Sequence, residues 1–367
     1  MSTAIDVSAL ERELTSLWKQ VGGEEDSGII RACLSNFLVY TPDVAGAGKL
    51  DEIITDITAE HPARAMLMIA DRAEAESSLA AAVTSRCTIP TGMSKQVCCE
   101  QVTINAAGAQ VNEMPSAVVP LLLSDLPVYL WWRAVPQLTD KVFERLGEVS
   151  DRVIIDTATF ADSKSDLIRL AAIIRDNPHW TAFTDLNWSR LTAWRALTAG
   201  FYDVPEYRPL LAQINRVTIE YAPLSGEAIP ARASILAGWL ASRLHWMIGS
   251  VKRENGNTIF EMTADGRPIT FTLAATNNAE IQAGHLASVT IGSAADSDAL
   301  FTVTRSDDGK RIETKVSLGE KRHVQRVLGY ESWSESQLVG RELEILGHDR
   351  VYEQAVVSAG DLIAAIG

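Results

Sequence analysis

The chain has 367 residues, is 47% hydrophobic, and carries 33 Lys+Arg against 47 Asp+Glu, a net charge of −14. That length exceeds what one core normally fills, so two domains are expected. The acidic balance repels phosphate backbones and anionic surfaces, which argues against nucleic-acid or membrane-surface binding, and no basic tract or RNA-reading aromatic motif offsets it.

The N-terminal stretch MSTAIDVSALERELTSLWKQ carries acids early and has helical spacing at Val7, Leu10, Leu14 and Leu17. It lacks the basic start and apolar core of a signal peptide, and no apolar run reaches the ~18 residues of a membrane span. The expected compartment is the cytoplasm. CLSNFLVY (33–40) then reads as a strand, 49–58 as a helix and RAMLMIA (64–70) as a strand, with further strands at 80–89 and 96–106. A helix is expected over 114–124, with Pro115 tolerated in its first turn and Pro120 kinking it. The strand VYLWW (128–132), a helix at 138–146, the strand RVIID (152–156) and a helix at 164–175 follow. Strands alternating with helices, and apolar runs without polar interruption, predict parallel βαβ units buried on both faces. The first domain, 1–204, is therefore expected to be α/β with a doubly wound, mainly parallel sheet.

The second, 205–367, reads as α+β. A strand is expected at 213–221 and a helix at 229–246, with Ile229, Ala233, Leu236, Leu240 and Leu244 on one stripe. Period-two alternation then takes over in ITFTL (269–273) and RIETKVSL (311–318), with turn signals at ENGN (254–257), ADGR (264–267) and DDGK (307–310). This predicts an antiparallel meander packed on the 229–246 helix, closed by helices at 334–346 and 351–365. The cysteines, Cys33, Cys87, Cys98 and Cys99, suit reduced, half-buried thiols better than a disulfide framework. A vicinal Cys98–Cys99 bridge is the alternative to two strand residues facing opposite ways.

The search for chemistry finds little. AGAGK (45–49) has Asp43 where a phosphate loop needs its first glycine, and Leu50 where it needs Ser or Thr. There is no G-x-G-x-x-G, so no cofactor is expected. Nor is there a G-x-S-x-G elbow. His61, His179, His245, His285, His323 and His348 are scattered and form no metal-ligand spacing. Asp156, at the carboxyl end of a presumed parallel strand, is either a ligand-site acid or a turn cap.

Tryptophans carry the loudest signal. Trp131, Trp132, Trp180, Trp188, Trp194, Trp239 and Trp246 crowd one region. In DLNWSRLTAWRALTAGFY (185–202), Trp188, Leu191, Trp194, Leu197 and Phe201 form a helical stripe, with Asp185 or Asn187 as cap and Arg190 placed to stack on Trp194. These rings either fill a domain seam or present a hot-spot surface. Neighbouring strand residues face opposite ways, so one of Trp131 and Trp132 is expected to pack the sheet. The other, with Arg133, would line the strand-end surface. The candidate partner-binding set is Trp131, Trp132, Arg133, Asp156, Trp188, Arg190, Trp194 and Arg195.

SDLPVYLWWRAVP, SDRVIIDTATF, DLNWSRLTAWR and FYDVPEYRPLL, in that order, strongly resemble the glucose-6-phosphate dehydrogenase assembly protein (OpcA) family, as do EHPARAMLM (60–68) and LAGWLASRLHW (236–246). The resemblance covers roughly residues 60–250. It implies a non-catalytic partner that binds glucose-6-phosphate dehydrogenase, promotes its active oligomer and activates it, supporting NADPH production by the oxidative pentose phosphate pathway. Some relatives are associated with thiol control, which the cysteine placement here does not carry across. The competing reading is a small-molecule enzyme or binding protein for a sugar or nucleotide, with a site near Trp132 and Asp156.

Overall fold

The computed structural model describes residues 6–21, 29–31, 33–88, 96–176, 181–225, 229–293, 299–306, 308–319, 321–330, 332–345 and 347–367. Expectations placed on Ile89, His179, Trp180, Asp307, Leu346 and the side chains of Leu17 and His323 lie outside what is described. The chain forms two compact units, each assembled from separated stretches. The first comprises Met1–Ile155, Asn177–Thr184 and Ser334–Asp349; the second comprises Asp156–Asp176, Asp185–Trp333 and Arg350–Gly367. This division differs from a single cut at residue 205.

In the first unit, α1 (Val7–Val21) buries Leu10 and Leu14. The sheet is built from β1 (Ile29–Arg31), β2 (Ser35–Thr41), β3 (Ala63–Asp71), β4 (Ser78–Thr88), β5 (Gln96–Ala107), β6 (Val128–Trp132), β7 (Arg152–Ile155) and β8 (Ala182–Asp185). Its order is β1-β5-β3-β2-β6-β7-β8, with β4 paired antiparallel to β5 and the pairs from β1 through β7 parallel. From β2 the chain winds outward to β3 and β5, then returns to β6 and winds the other way. The direction therefore reverses between β2 and β6, the switch point of a doubly wound sheet. The helices of this unit are α2 (Ala47–Glu60), α3 (Met114–Val118), α4 (Lys141–Glu148) and α10 (Glu335–Leu343). Pro115 sits in the first turn of α3, and Pro120 lies in the 3₁₀ turn Val119–Leu121 into which α3 runs, so a short helix and a 3₁₀ turn replace the kinked helix expected over 114–124. Far along the chain, α10 opens with a Ser334–Gln337 capping box. Its buried Glu342 accepts from the Thr184 hydroxyl of β8.

Every residue of β2, β6 and β7 is buried. This double-sided burial disposes of both tryptophans at once. Trp131 and Trp132 point to opposite faces, yet each is only 1% exposed. Trp131 stacks with Phe37, its ring 6.3 Å away. Trp132 stacks on Tyr40, directly opposite it in register, with centroids 3.9 Å apart, and meets Phe143 of α4 edge-on at 4.9 Å. The expectation that Trp132 lines a surface is corrected: a parallel sheet with helices on both faces leaves its second side chain no route to solvent.

The cysteine expectation holds for Cys33 and Cys99, which remain thiols, and fails for Cys87 and Cys98. Antiparallel pairing of β4 with β5 sets Cys87 directly opposite Cys98, with Cα atoms 4.0 Å apart, and the two are joined in a disulfide. Cys99 faces away and bonds the Thr58 carbonyl through Sγ, so no vicinal bridge forms. Register across a hairpin is not a local property, and spacing alone does not disclose it.

The second unit holds α5 (Ser163–Asp176), α6 (Leu186–Arg190), α7 (Thr192–Gly200), α8 (Arg208–Leu211), α9 (Ala231–Arg243) and α11 (Arg350–Ala365). Its strands are β9 (Ile214–Tyr221), β10 (Met247–Glu254), β11 (Asn257–Ala264), β12 (Arg267–Ala275), β13 (Leu286–Ser293), β14 (Ala299–Arg305), β15 (Arg311–Leu318) and β16 (Lys321–Gly329). The eight strands run in the order β10-β11-β12-β9-β13-β14-β15-β16. The sheet is antiparallel except where β9 inserts between β12 and β13 and pairs parallel with β12. Alternation is clean in β11, which buries Thr258, Phe260, Met262 and Ala264. On the helical side, α11 packs against α9 and α5 at two glycines. A Cβ at Gly238 would run into the Ala355 carbonyl, and one at Gly360 into the Ala171 side chain. Close helix approach is what these positions require.

Candidate functional site

Doubly wound sheets bind ligands at the carboxyl ends of their strands, beside the switch point. Here that place is filled. The Tyr40–Trp132 stack occupies the ends of β2 and β6, and the Arg133 amide donates to the Tyr40 carbonyl at 3.1 Å. Burial pushes the Tyr40 hydroxyl pKa up, opposed by Arg72. Arg72 itself forks onto both oxygens of Asp140 at 3.0 and 3.1 Å. The N-terminus of α2, where such folds seat a phosphate, receives an acid instead. Asp43 Oδ1 accepts from the Gly46 amide at 2.9 Å, and a Cβ on Gly46 would strike the same carboxylate. A bound anion would have to displace that charge. Arg133 lies over the Trp131 ring, 4.6 Å from its centroid, and pairs with Glu335 of α10. It therefore fastens α10 to the end of β6 and stays partly exposed, at 28%.

The second group of candidates gathers in the second unit. Asp156 caps the turn after β7 by accepting from the Ala158 amide, as the blander reading expected. It also receives both terminal nitrogens of Arg190, at 2.7 and 2.9 Å. Arg190 is thus drawn to a carboxylate and does not stack on Trp194. Instead Arg195 stacks on Trp188, 3.4 Å from the ring centroid. The expected single stripe breaks at Leu191 into α6 and α7, and Trp188 and Trp194 are buried at 3% and 1%. Of the two readings open for them, packing or a presented surface, these two rings follow packing: both are core.

Beside Asp156 lies a wholly buried acid. Asp185 caps α6, its Oδ1 accepting from the Asn187 and Thr157 amides at 2.8 and 3.0 Å and its Oδ2 from the Thr157 hydroxyl at 2.6 Å. Burial, then repulsion from Asp156, pushes its pKa up to about 7. Asn187 Oδ1 in turn accepts from Arg232 Nε at 2.8 Å, and Arg232 is only 6% exposed. Arg305 reaches His285 Nδ1 at 2.8 Å and lies over the Tyr330 ring at 4.8 Å. Burial and the three guanidinium groups hold the His285 pKa down at about 4. Asp185 and Asn187 were legible as caps. Arg232, His285, Arg305 and Tyr330 were not, because they lie more than forty residues from the nearest of those caps and meet it only through the sheet.

Among the described residues no three His, Cys, Asp or Glu side chains gather as a metal site, and no helix is long and apolar enough to cross a membrane. A cavity of about 780 Å³ in the first unit, lined by Tyr129, Asp151, Arg152 and His348 among others, opens at the amino ends of β6 and β7, opposite the usual ligand end.

Fold and strand ends together define a doubly wound sheet protein whose switch-point strand ends are filled by aromatic packing, with an acid at the neighbouring helix start. The chain's relatives make the class specific. Residues 54–172 match the model described as glucose-6-phosphate dehydrogenase subunit N-terminal domain, and residues 181–356 match the corresponding C-terminal domain. Over 327 residues the chain is 30% identical to a protein of Synechocystis sp. named an OxPP cycle protein, OpcA, with 86% of this chain and 66% of the relative covered. Over 313 residues it is equally similar to the Nostoc punctiforme protein of that name, covering 83% and 66%. The chain belongs to the OpcA family, and it spans about two thirds of the length of these relatives. Among solved structures, a levoglucosan dehydrogenase in complex with NADH and L-sorbose aligns with TM-score 0.49 at 9% identity over 91% of this chain and 96% of that one. A 3-ketoreductase from Actinomadura kijaniata aligns with TM-score 0.46 at 10% identity, covering 90% and 96%. Likeness at that level carries no chemistry across.

Proposed function

We propose that this chain is a non-catalytic partner of glucose-6-phosphate dehydrogenase that promotes its active oligomer and activates it, supporting NADPH production in the oxidative pentose phosphate pathway. Membership of the OpcA family, with two domain models spanning 54–172 and 181–356, carries the proposal. The acid at the α2 N-terminus and the Tyr40–Trp132 stack favour a non-catalytic role, since both occupy space a dinucleotide would need. In this reading the buried tryptophans hold the surface from behind. Contact falls to partly exposed side chains such as Arg133 and Arg195.

The experiment is a titration of the chain into the dehydrogenase from the same source, following NADPH formation and complex mass together. The expected outcome is a rise in rate that saturates with a discrete heavier complex, and no NADP reduction by the chain alone. Unchanged rate with no complex would reject the partner role. Turnover of glucose 6-phosphate by the chain alone would reject the non-catalytic one.

A further inference from the structure

At one end of the second sheet, an acidic protein collects three arginines. Arg232 comes from the first turn of α9, Arg190 from the end of α6, and Arg305 from the end of β14. His285 immediately precedes β13, and Tyr330 immediately follows β16. We propose that Arg190, Arg232, Arg305 and His285 form a binding site for a phosphate dianion, free or as the monoester of a small metabolite.

The charge balance argues for it. Both oxygens of Asp156 are engaged by Arg190, so that pair is neutral. The hydrogen-bond partners of the other two arginines are uncharged: Arg232 donates to an amide oxygen, and Arg305 to an imidazole nitrogen while stacking on a phenol. Such partners orient a guanidinium without cancelling it. Asp185, about half ionised at neutral pH, offsets part of the rest, so an excess of more than one positive charge remains, carried in part by a side chain 6% exposed, and a phosphate ester carries close to two negative charges at neutral pH. A buried charge without a compensating ion is costly, and an incoming dianion removes that cost.

Donor geometry agrees. A guanidinium has no acceptor, so His285 Nδ1 must accept from Arg305, and the ring's hydrogen lies on Nε2. His285 therefore offers a further donor while staying neutral, as its surroundings of three arginines dictate. Arg190, His285, Arg305 and Tyr330 are all intermediate in exposure, so the cluster is open to solute. Arginine forks suit phosphate better than a single ammonium would.

The inference goes beyond the partner role and does not depend on it. The test uses the whole chain in buffer free of phosphate and sulfate, titrated by calorimetry with inorganic phosphate, glycerol 3-phosphate and glycerol. Both phosphates are expected to bind and glycerol not to. A tighter glycerol 3-phosphate identifies an organic monoester as the ligand, and equal affinities identify free phosphate. Arg305→Gln should weaken binding by about tenfold or more, and Arg305→Lys by less, because it keeps the charge but loses the fork. Arg253→Gln, which removes an exposed arginine elsewhere in the unit, should leave it unchanged. Melting curves of each variant without ligand establish that folding is intact, and Arg305→Lys serves if Arg305→Gln melts early. Absence of binding up to about 10 mM, a very weak interaction, would overturn the proposal, as would equal weakening by Arg253→Gln.

Discussion

At the ends of β2 and β6 two aromatic rings lie face to face and an aspartate covers a helix N-terminus; after β7 and β8 two aspartates, three arginines and a histidine stand together. The first region lies at carboxyl strand ends, the place where open α/β sheets normally do their chemistry, and the second gathers within the second unit at the end of its own sheet. One has become core, and the other has stayed charged. Topology thus supplies a location, and the side chains placed there decide whether it remains a site.

The largest effect should come from the closed region. Trp132→Ala removes a ring 1% exposed and stacked on Tyr40, and is expected to cost about 3–5 kcal/mol of stability. Thermal and urea unfolding measure it. A variant that melts like the parent would return Trp132 to the surface and dissolve the contrast.

The charged region is probed by pH. Asp185 has a folded pKa of about 7 against an ordinary 3.8, so its contribution is fully present below the lower value and is lost as pH rises through the higher. His285 has a folded pKa of about 4 against 6.5, so its contribution is present above the upper value and lost as pH falls through the lower. In the shared window the folded state holds one extra proton at Asp185 and one fewer at His285, and the slopes cancel. Relative to the parent, Asp185→Asn should make stability rise with pH by about 1.4 kcal/mol per pH unit, and His285→Gln should make it fall by a similar amount. Urea midpoints across that window read both slopes. Slopes of the same sign in the two variants would show that the pair does not compensate.

The smallest effect belongs to Asp43. Asp43→Ala takes the acid from the start of α2 and should lower stability by about 0.5–1 kcal/mol, less at high salt. A stabilised variant would mean that neither the bond to the Gly46 amide nor the negative charge at the helix start stabilises α2.

Much of the chain was legible where the signal is local. The uninterrupted apolar runs of β2, β6 and β7 indicated a sheet covered on both faces, and period two in 311–318 indicated β15 with one wet face. The same logic, carried one step further, would have buried Trp132. Its place at the end of the strand, beside Arg133, suggested the strand-end surface instead. What stayed hidden depends on partners remote in sequence. Cys87 meets Cys98 only through hairpin register, β9 reaches β12 only after α9, β10 and β11, and His285 meets Arg305 only because β13 and β14 turn back together. Arg190 shows the limit of local geometry. Helical spacing offered it Trp194, and a carboxylate outside its own helix won, as charge-assisted forks do over ring stacking.

The segment 334–365 carries a consequence for how the protein is made. Its first helix, α10, closes the first unit through Glu342, and its second, α11, packs closely on α9 at Gly238 and on α5 through its own Gly360. Both cores thus wait for the same late stretch of chain. At the ~5–20 residues per second of synthesis, earlier segments spend tens of seconds with apolar faces uncovered, and any nascent chain stopped before residue 334 leaves two unfinished units.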